Sequence, residues 1–275
     1  MNKTGTQLTK DTAQIIKKWY SLLDFPKEFD REFEEALESI EIPADTTIES
    51  YDFECTDGRL NLLSMLYLCE ELERKYQSLG LDQEVLLSSL HDVVVYTKVW
   101  TEVKGELYLG ELGWLKRHFT VKIFELGRLQ FATVNSRFDI PEFNIHIGDP
   151  VLEIHIPRGK SLDYAECDES FAKARKFFEK HFPDFKYKAF ICSSWLLDDT
   201  LKKHLRENSN ILAFAKRFTK ISSVEAYSLL RFLFRWDTTI ENLRNFTPKT
   251  SFAASIKDAV LAGEKFYATL GVIPR

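Results

Sequence analysis

The sequence has little of what marks several large classes of protein. Its four cysteines lie far apart in 275 residues and form no C-x-x-C pair, which argues against a zinc site and a disulfide scaffold. No apolar run reaches the roughly 18–20 residues that cross a bilayer, and the polar first residues lack the apolar middle of a signal peptide. Neither G-x-x-x-x-G-K-[ST] nor G-x-G-x-x-G occurs, so nucleotide hydrolysis and dinucleotide redox chemistry have no support. We therefore expect a reduced, cytoplasmic protein that uses no metal.

The composition is that of a globular chain with a large core. Hydrophobic residues make up 44% of the chain, and 22 of its residues are phenylalanine. The net charge of −5 argues against a general nucleic-acid binder. Residues 1–118 carry 13 Lys and Arg against 23 Asp and Glu, whereas residues 119–275 carry 24 against 19. A basic second half suits a polyanionic small molecule, although helical surfaces rich in Glu would produce the same imbalance.

The first part of the chain has helical periodicity. Apolar residues recur at helical spacing, and Pro26, Gly80 and Gly105 stand where helices begin or end. These patterns predict helices over Asp11–Leu23, after Pro26, over Leu60–Leu79, over Gln83–Val103 and around Leu107–His118. The two long helices are joined by three residues, so we expect them to be antiparallel neighbours. We place a helical domain at residues 1–122.

The pattern changes near residue 120, where short strand-like segments begin. Alternation predicts an antiparallel meander of three strands, which are Arg128–Asn135, Phe143–Ile147 and Val151–Ile156. A helix over Asp168–His181 and a strand over Tyr187–Trp195 follow. A helical crossover predicts that this strand is parallel to Val151–Ile156. A late helix over Ser251–Phe266 and a tail, GVIPR, complete a second domain at residues 123–275, and the fold class is α+β.

Polar residues in the meander suggest a chemical site. Matching polar positions places His146 opposite Glu153 and Asn144 opposite His155, on one face of the sheet. A carboxylate beside histidines is an arrangement that serves general-base catalysis. The alternative is an ordinary solvated face of a half-exposed sheet. A metal site is disfavoured because no third ligand lies close in the sequence.

Three stretches of the chain resemble a family of bacterial acyltransferases. They are LGRLQFATV from Leu126, CSSWLLDDTLKKHLRENSNILAFAKRF from Cys192, and SFAASIKDAVLAGEKFYATLGVIPR from Ser251. LYLGELGWLKRHF, from Leu107, is similar to the domain junction of the same family. These segments look like the GNAT-like N-acyltransferases that carry a separate helical N-terminal domain. The resemblance covers the whole chain, and the order of strands and helices agrees with it.

The resemblance implies acyl-CoA as the donor, with acetyl as the expected acyl group, and an amine as the acceptor. In that fold the strands corresponding to Val151–Ile156 and Phe190–Trp195 splay apart, and the pantetheine arm lies in the gap on free backbone groups. The pyrophosphate lies at the start of the next helix. The implied acyl-CoA contacts are Ile154, Ile156, Arg158, Gly159, Lys160, Ser161, Ser193, Ser194 and Asn210.

Two features depart from the family pattern. The phosphate loop usually reads Arg/Gln-x-x-Gly-x-Gly/Ala, but here it is longer and Gly159 is its single glycine, while Asp168 near the helix start would repel an anion. The usual tyrosine acid is unmatched, since Phe214 and Arg217 stand where it would be. Water, Tyr227 or Tyr187 would then protonate the leaving group, or the domain would bind acyl-CoA without catalysis.

The expected mechanism is direct attack of a neutral amine on the acyl-CoA carbonyl. Glu153, with His146 and His155 beside it, would take the proton, and a backbone N–H of the Val151–Ile156 strand would polarise the carbonyl. The acidic first half hints at a cationic acceptor, a small molecule or a peptide amine. No nucleic acid or membrane partner is expected, and the oligomeric state is open. The alternative is a non-catalytic module that binds acyl-CoA or a protein partner.

Overall fold

A computed structural model describes residues 10–43 and 45–275. The chain forms two compact units, of which unit 1 ends at Phe124 and unit 2 runs from Glu125 to Arg275. The sequence-based boundary between residues 122 and 123 stays a prediction. Residues 1–9, part of the segment in which no signal peptide was expected, lie outside the described residues.

Unit 1 is helical in its described residues. Its α-helices are α1 (Lys10–Leu22), α2 (Asp30–Ser39), α3 (Gly58–Ser78), α4 (Gln83–Lys104) and α5 (Leu112–Phe119). The carboxylate of Asp57 accepts hydrogen bonds from the amides of Arg59 and Leu60 and so begins α3, and Gly105 ends α4 with a φ of +76°. In the part of the chain that the structure describes, no helix is long and apolar enough to cross a membrane.

Unit 2 is built on a mixed sheet. The strands are β1 (Ile123–Glu125, across the unit boundary), β2 (Gln130–Asn135), β3 (Pro150–His155), β4 (Ala189–Ser194), β5 (Thr219–Glu225) and β6 (Tyr267–Pro274). The α-helices are α6 (Tyr164–His181), α7 (Asn210–Ala215), α8 (Leu229–Leu233) and α9 (Ser251–Leu261). The strand order is β1-β2-β3-β4-β6-β5. The pairing of β3 with β4 is parallel, as the helical crossover predicted, and the α+β fold class is confirmed.

The two faces of this sheet are buried by different partners. On one face Phe131 of β2, Phe190 of β4 and Phe171 of α6 meet with ring centroids 5.3 to 5.8 Å apart. Ring edges meet ring faces in all three pairs, which is the favoured aromatic geometry. The other face carries an aliphatic cluster, which consists of Ile140, Ile145, Val151, Ala189, Ile191, Leu270 and Val272. Residues that continue along this second face, beyond the aliphatic cluster, form the candidate site.

The prediction of a middle meander strand over Phe143–Ile147 is wrong. Pro141 starts a 3₁₀ turn that ends at Asn144, whose φ is +51°, and the chain then forms a single bridge between Ile140 and Ile145. Ile145 is buried because it packs into the aliphatic cluster, not because it belongs to a strand. In its place β2 pairs directly with β3 in antiparallel register.

The end of the chain also differs from expectation. The segment predicted as a tail belongs to β6, which lies between β4 and β5 and is hydrogen-bonded to both. The late helix ends at Leu261, earlier than predicted. Strand β5 was not predicted, and its side chains are mostly exposed, as in an edge strand. A polar edge strand lacks the alternation on which strand prediction depends.

Candidate functional site

The two parallel strands β3 and β4 pair over only part of their length within the described chain. The amide of Lys188 donates to the carbonyl of Pro150 at 2.9 Å, and the ladder then pairs Leu152 with Phe190 and Glu153 with Ile191. Beyond that rung β3 continues on β2, with His155 opposite Gln130. The rest of β4 continues on β6. The strands therefore part after Glu153 and Ile191, at a point we call the fork.

Glu153 and His155 occupy this fork. They are two residues apart on β3 and so project from the same face. The Nε2 atom of His155 lies 3.0 Å from Oε2 of Glu153, and the side chains are 25% and 11% exposed. Arg137, which is 78% exposed, approaches the other carboxylate oxygen at 3.9 Å. The result is a largely buried carboxylate with an imidazole as its hydrogen-bond partner.

The opposite side of the fork is formed by β4. Cys192 is fully buried, and its burial, followed by the negative charge of Glu153, raises the pKa of its thiol. Cys192 is therefore a thiol of the core. Ser193 lies on the face of Glu153 and is exposed. Ser194 accepts a hydrogen bond from the amide of Leu196 at 3.2 Å and begins the 3₁₀ turn that follows.

The predicted partnership of His146 with Glu153 is wrong. The register places Ala132 opposite Glu153 and Gln130 opposite His155. His146 is instead in the exposed turn before β3, where its Nδ1 atom lies 2.8 Å from Asp139. Asn144 is in the same turn, and its carbonyl accepts from Lys188 at 2.8 Å. The pleat of one strand places Glu153 and His155 on the same face. The predicted positions of His146 and Asn144 depended on a second strand, which does not form.

The loop after β3 brings some of the predicted acyl-CoA residues together. The Nδ2 atom of Asn210, the first residue of α7, donates to Oγ of Ser161 at 3.0 Å. Gly159 has a φ of +91°, a conformation that glycine adopts without strain. Lys160 Nζ lies 3.6 Å from Glu125. Ile154 is buried on β3, whereas Ile156 lies one residue beyond its end.

Arg158 packs against aromatic side chains in this structure. Its guanidinium lies over the rings of Phe232 and Trp236, at 5.2 and 5.5 Å. Its Nη2 atom donates to the carbonyl of Phe232 at 3.2 Å. Phe232 also contacts Trp195, which directly follows β4, with ring centroids 6.0 Å apart. A contact of Arg158 with the coenzyme stays a prediction, while in this structure its side chain fastens the segment around Phe232 beside the end of the fork.

The start of α6 is already satisfied by protein groups. The carboxylate of Asp163 accepts from the amides of Ala165 and Glu166 at 2.9 and 3.2 Å. The charge of Asp168 is opposed by Arg217, whose Nε donates to it at 3.0 Å. The repulsion that we expected from Asp168 is thus offset, but the first turn of the helix offers fewer free amides than the fold family implies.

The two candidate acids, Tyr187 and Tyr227, are distant from Glu153 in the sequence. Tyr187 precedes β4, at the paired end of the strand, and is buried against Phe178 and Phe190. Tyr227 follows β5 and donates its hydroxyl to Glu225 at 3.1 Å. Both hydroxyls have raised pKa values, mainly because of burial. Neither tyrosine is needed if the leaving group departs as a thiolate.

Two cavities lie elsewhere in unit 2. Their volumes are about 590 and 430 Å³, and both are lined by Asp198, Asp199 and Lys220. The carboxylate of Asp199 pairs with Lys220 and with Lys202, each at 2.6 Å. None of the predicted site residues lines either cavity. We base the site on the fork because the titratable pair and the parting strands coincide there.

Sequence reasoning missed Arg128, a buried residue just before β2. Its side chain donates to the carbonyls of Lys160 and Ser161, in the loop that follows β3. The available signal was an arginine at the start of the strand-like run Arg128–Asn135, directly after Gly127. Buried arginines are rare without partners, so such a position points to a specific contact.

Comparison with known proteins agrees with this fold. A family model described as a GNAT-like C-terminal domain matches residues 123–273. An acyltransferase solved with octanoyl-CoA has a TM-score of 0.76 and 20% identity, covering 95% of this chain and 88% of that one. An acyltransferase solved with decanoyl-CoA and teicoplanin has a TM-score of 0.69 and 25% identity, covering 78% of this chain.

The match to that second protein spans 66% of its length. Another structure of an acyltransferase, with decanoyl-CoA, has a TM-score of 0.73 and 22% identity, covering 94% of this chain and 87% of that one. No curated protein matches the chain. Because the family model covers more than half of the sequence, the protein belongs to the family with a GNAT-like C-terminal domain.

Proposed function

We propose that the protein transfers an acyl group from acyl-CoA to an amine. The observation that carries this proposal is the fork between β3 and β4 with Glu153 at its last rung. Peptide groups are obligatory donors and acceptors, so strands that part leave main-chain groups for an extended ligand. The pantetheine arm carries two amides and fits such an edge. The solved acyltransferases with acyl-CoA ligands support the same donor.

Glu153 is the base in this proposal. Its carboxylate is mostly buried, yet it lies where the strands open. The amine nitrogen attacks the thioester carbonyl and forms the new C–N bond, and Glu153 takes the proton that the nitrogen releases. His155, at 3.0 Å, holds the carboxylate in one orientation. A main-chain amide of β3 beyond the last rung would donate to the developing oxyanion.

The leaving group needs no dedicated acid. When the tetrahedral intermediate collapses, the C–S bond breaks and the sulfur leaves with the electron pair. A thiol with a pKa near 8.5 is a good leaving group as its thiolate and takes a proton from water afterwards. This removes the difficulty that no tyrosine stands at the family position. Holding both substrates in one cleft supplies much of the remaining acceleration.

The acceptor is a small-molecule amine in this proposal. The solved acyltransferase with decanoyl-CoA also holds teicoplanin. The sequence prediction of an acetyl group remains to be tested, since the solved relatives hold octanoyl and decanoyl groups. A donor panel should therefore run from acetyl- to decanoyl-CoA. A cytoplasmic location and a bacterial source also stay predictions.

Glu153→Gln tests the role of the base. Release of CoA thiol is measured with the acyl-CoA panel and a set of primary amines. Loss of a positioned general base costs roughly 10²- to 10⁴-fold in rate, so we expect kcat to fall by that factor while KM for acyl-CoA changes little. Glu142→Gln makes the same exchange at an exposed carboxylate of the turn before β3 and should leave the rate unchanged.

Ligand binding is measured separately, by thermal stabilisation. A donor at about 100 times its Kd adds about 2.7 kcal/mol to the free energy of unfolding. Stabilisation without thiol release for any amine would favour the non-catalytic acyl-CoA-binding module. Full activity of Glu153→Gln would remove this residue from the mechanism. If no acyl-CoA raises the melting temperature, the donor assignment fails.

A further inference from the structure

Arg128 connects the start of β2 to the loop that follows β3. Its main-chain amide donates to Oγ of Ser170 on α6 at 2.7 Å. From that anchor its side chain reaches the loop, where Nε donates to the carbonyl of Ser161 at 2.6 Å and Nη2 to that of Lys160 at 2.8 Å. The residue is only 6% exposed. One buried guanidinium therefore fixes two successive peptide groups of the loop.

The charge of this guanidinium is only partly compensated. Among the described residues no carboxylate forms an ion pair with Arg128, and its Nη1 atom is buried without a hydrogen-bond partner. Glu125 and Glu166 are the carboxylates whose charge acts on it, yet burial outweighs them and lowers the pKa of Arg128. A buried cation that forms no ion pair is costly and therefore unusual. An anionic ligand at this loop would supply the missing charge.

The hydrogen bonds from Arg128 to the two loop carbonyls also set the direction of the neighbouring amides. In a planar trans peptide the C=O and N–H bonds point in opposite directions. Because the carbonyls of Lys160 and Ser161 point toward Arg128, the amides of Ser161 and Leu162 point away from it. Within residues 10–43 and 45–275, neither amide donates to a protein acceptor. Two adjacent free amides on one side of a loop form the kind of concavity that binds phosphate oxygens.

The neighbouring groups complete the arrangement. Ser161 Oγ accepts from Asn210, which leaves its own hydrogen to donate elsewhere. The first amides of α6 are occupied by Asp163, so they do not provide the site by themselves. The loop also has a single glycine, Gly159, so it lacks the small residues from which such concavities are usually built.

We propose that Arg128 is the positioning residue of a diphosphate-binding loop, which presents the amides of Ser161 and Leu162 to the pyrophosphate of acyl-CoA. The inference rests on the proposed function, because it takes acyl-CoA as the ligand. In this chain the side chain of Arg128, just before β2, takes the place of the missing glycine. The buried positive charge behind the loop adds a favourable field for the anion.

The test compares two donors that share the thioester. Acyl-CoA carries the phosphates, whereas the corresponding acyl-pantetheine lacks them. In Arg128→Gln we expect KM for acyl-CoA to rise roughly 10- to 100-fold, the loss typical of hydrogen bonds to a charged group. The kcat for acyl-CoA and kcat/KM for acyl-pantetheine should stay within about twofold. Arg175→Gln removes an exposed arginine of α6 and should leave the KM for both donors unchanged.

A second variant, Arg128→Lys, separates the effect of the two hydrogen bonds from that of the charge. It also tests the inference if Arg128→Gln does not fold. Arg128→Lys keeps the charge but cannot hold two carbonyls with one planar group, so it should also lose the preference for acyl-CoA. The inference would be overturned if Arg128→Lys kept the full preference for acyl-CoA. It would also be overturned if Arg128→Gln lost kcat/KM equally with both donors. A wild-type protein that uses both donors equally well would overturn it too. A wild-type protein that uses neither donor contradicts the proposed function itself.

Discussion

Substitution of Gly271 tests how tightly the sheet is packed next to β4. Gly271 lies on β6, opposite Cys192 of β4. A Cβ atom there would lie 2.8 Å from Leu197 Cδ1 and 2.8 Å from Phe218 Cβ. The leucine methyl can move, but the Phe218 Cβ is attached to the main chain and cannot turn away. Overpacking of this kind costs about 1–3 kcal/mol, and the lower entropy of unfolded alanine offsets about 0.4–1 kcal/mol. We expect Gly271→Ala to lower the free energy of unfolding by about 1–2 kcal/mol.

Gly271→Val is a more discriminating variant. Its stability relative to Gly271→Ala should be higher at an open strand position and lower at a crowded one. At an open strand position valine is more stable than alanine, by up to about 1 kcal/mol. In the space beside Phe218 its extra methyl groups add to the clash, so it should be less stable than alanine. Urea denaturation, with hydrogen exchange of the β4 and β6 amides, measures both variants in unit 2. A valine variant as stable as the alanine variant would refute the reasoning. Gly113→Ala is the control, because no atom lies within 4 Å of its Cβ on α5. There a gain of about 0.5–1 kcal/mol is expected from helix propensity.

Two further predictions concern charged groups. The Arg217 guanidinium, 9% exposed, donates to Asp168 and to the carbonyl of Tyr164 and lies 3.6 Å over the Tyr164 ring, so Arg217→Met should cost about 2–3 kcal/mol in urea denaturation. Asp168→Asn should cost less than about 1 kcal/mol, because that carboxylate is 54% exposed, and equal losses would contradict the assignment. In unit 1 a hydrogen bond from Lys18 holds the pKa of Glu70 below its usual 4.5. The depressed pKa stabilises the fold above about pH 4.5, and this contribution is lost as pH falls through the lower, folded-state value. The melting temperatures of wild type and Glu70→Gln should therefore converge on acidification from pH 7, and a constant difference would show that the pair is not responsible.

The helices of unit 1 were predictable because the interactions that form them are local. Leu60–Leu79 was expected and Gly58–Ser78 is observed. Gly80 and Gly105 end helices with φ values of +65° and +76°, a conformation that glycine tolerates best. Helical periodicity and end signals depend on neighbours within four residues, so one sequence contains them.

The strands were less predictable, since a strand is defined by a partner far along the chain. Alternation alone favoured a strand over Phe143–Ile147, but Ile147 is 72% exposed and Asn144 has a positive φ. The turn is closed instead by Ser136, whose amide donates to Asp149 at 2.7 Å and whose carbonyl accepts from Gly148 at 2.8 Å. β6 shows the converse case, because its place between β4 and β5 depends on two ladders that no local pattern encodes.

The same distinction explains which parts of the candidate site were foreseen. Glu153 and His155 are two residues apart on one strand, so the pleat alone brings them to one face in any register. His146 needed a specific register between two strands, and a register is a long-range property. The cation that serves the loop came from Arg128, which is 32 and 33 residues from the carbonyls it holds. Arg158, the cation adjacent in sequence, lies over the rings of Phe232 and Trp236. A site at parting strands is therefore assembled from distant segments, and the reliable part of its prediction is the set of residues that one strand holds together.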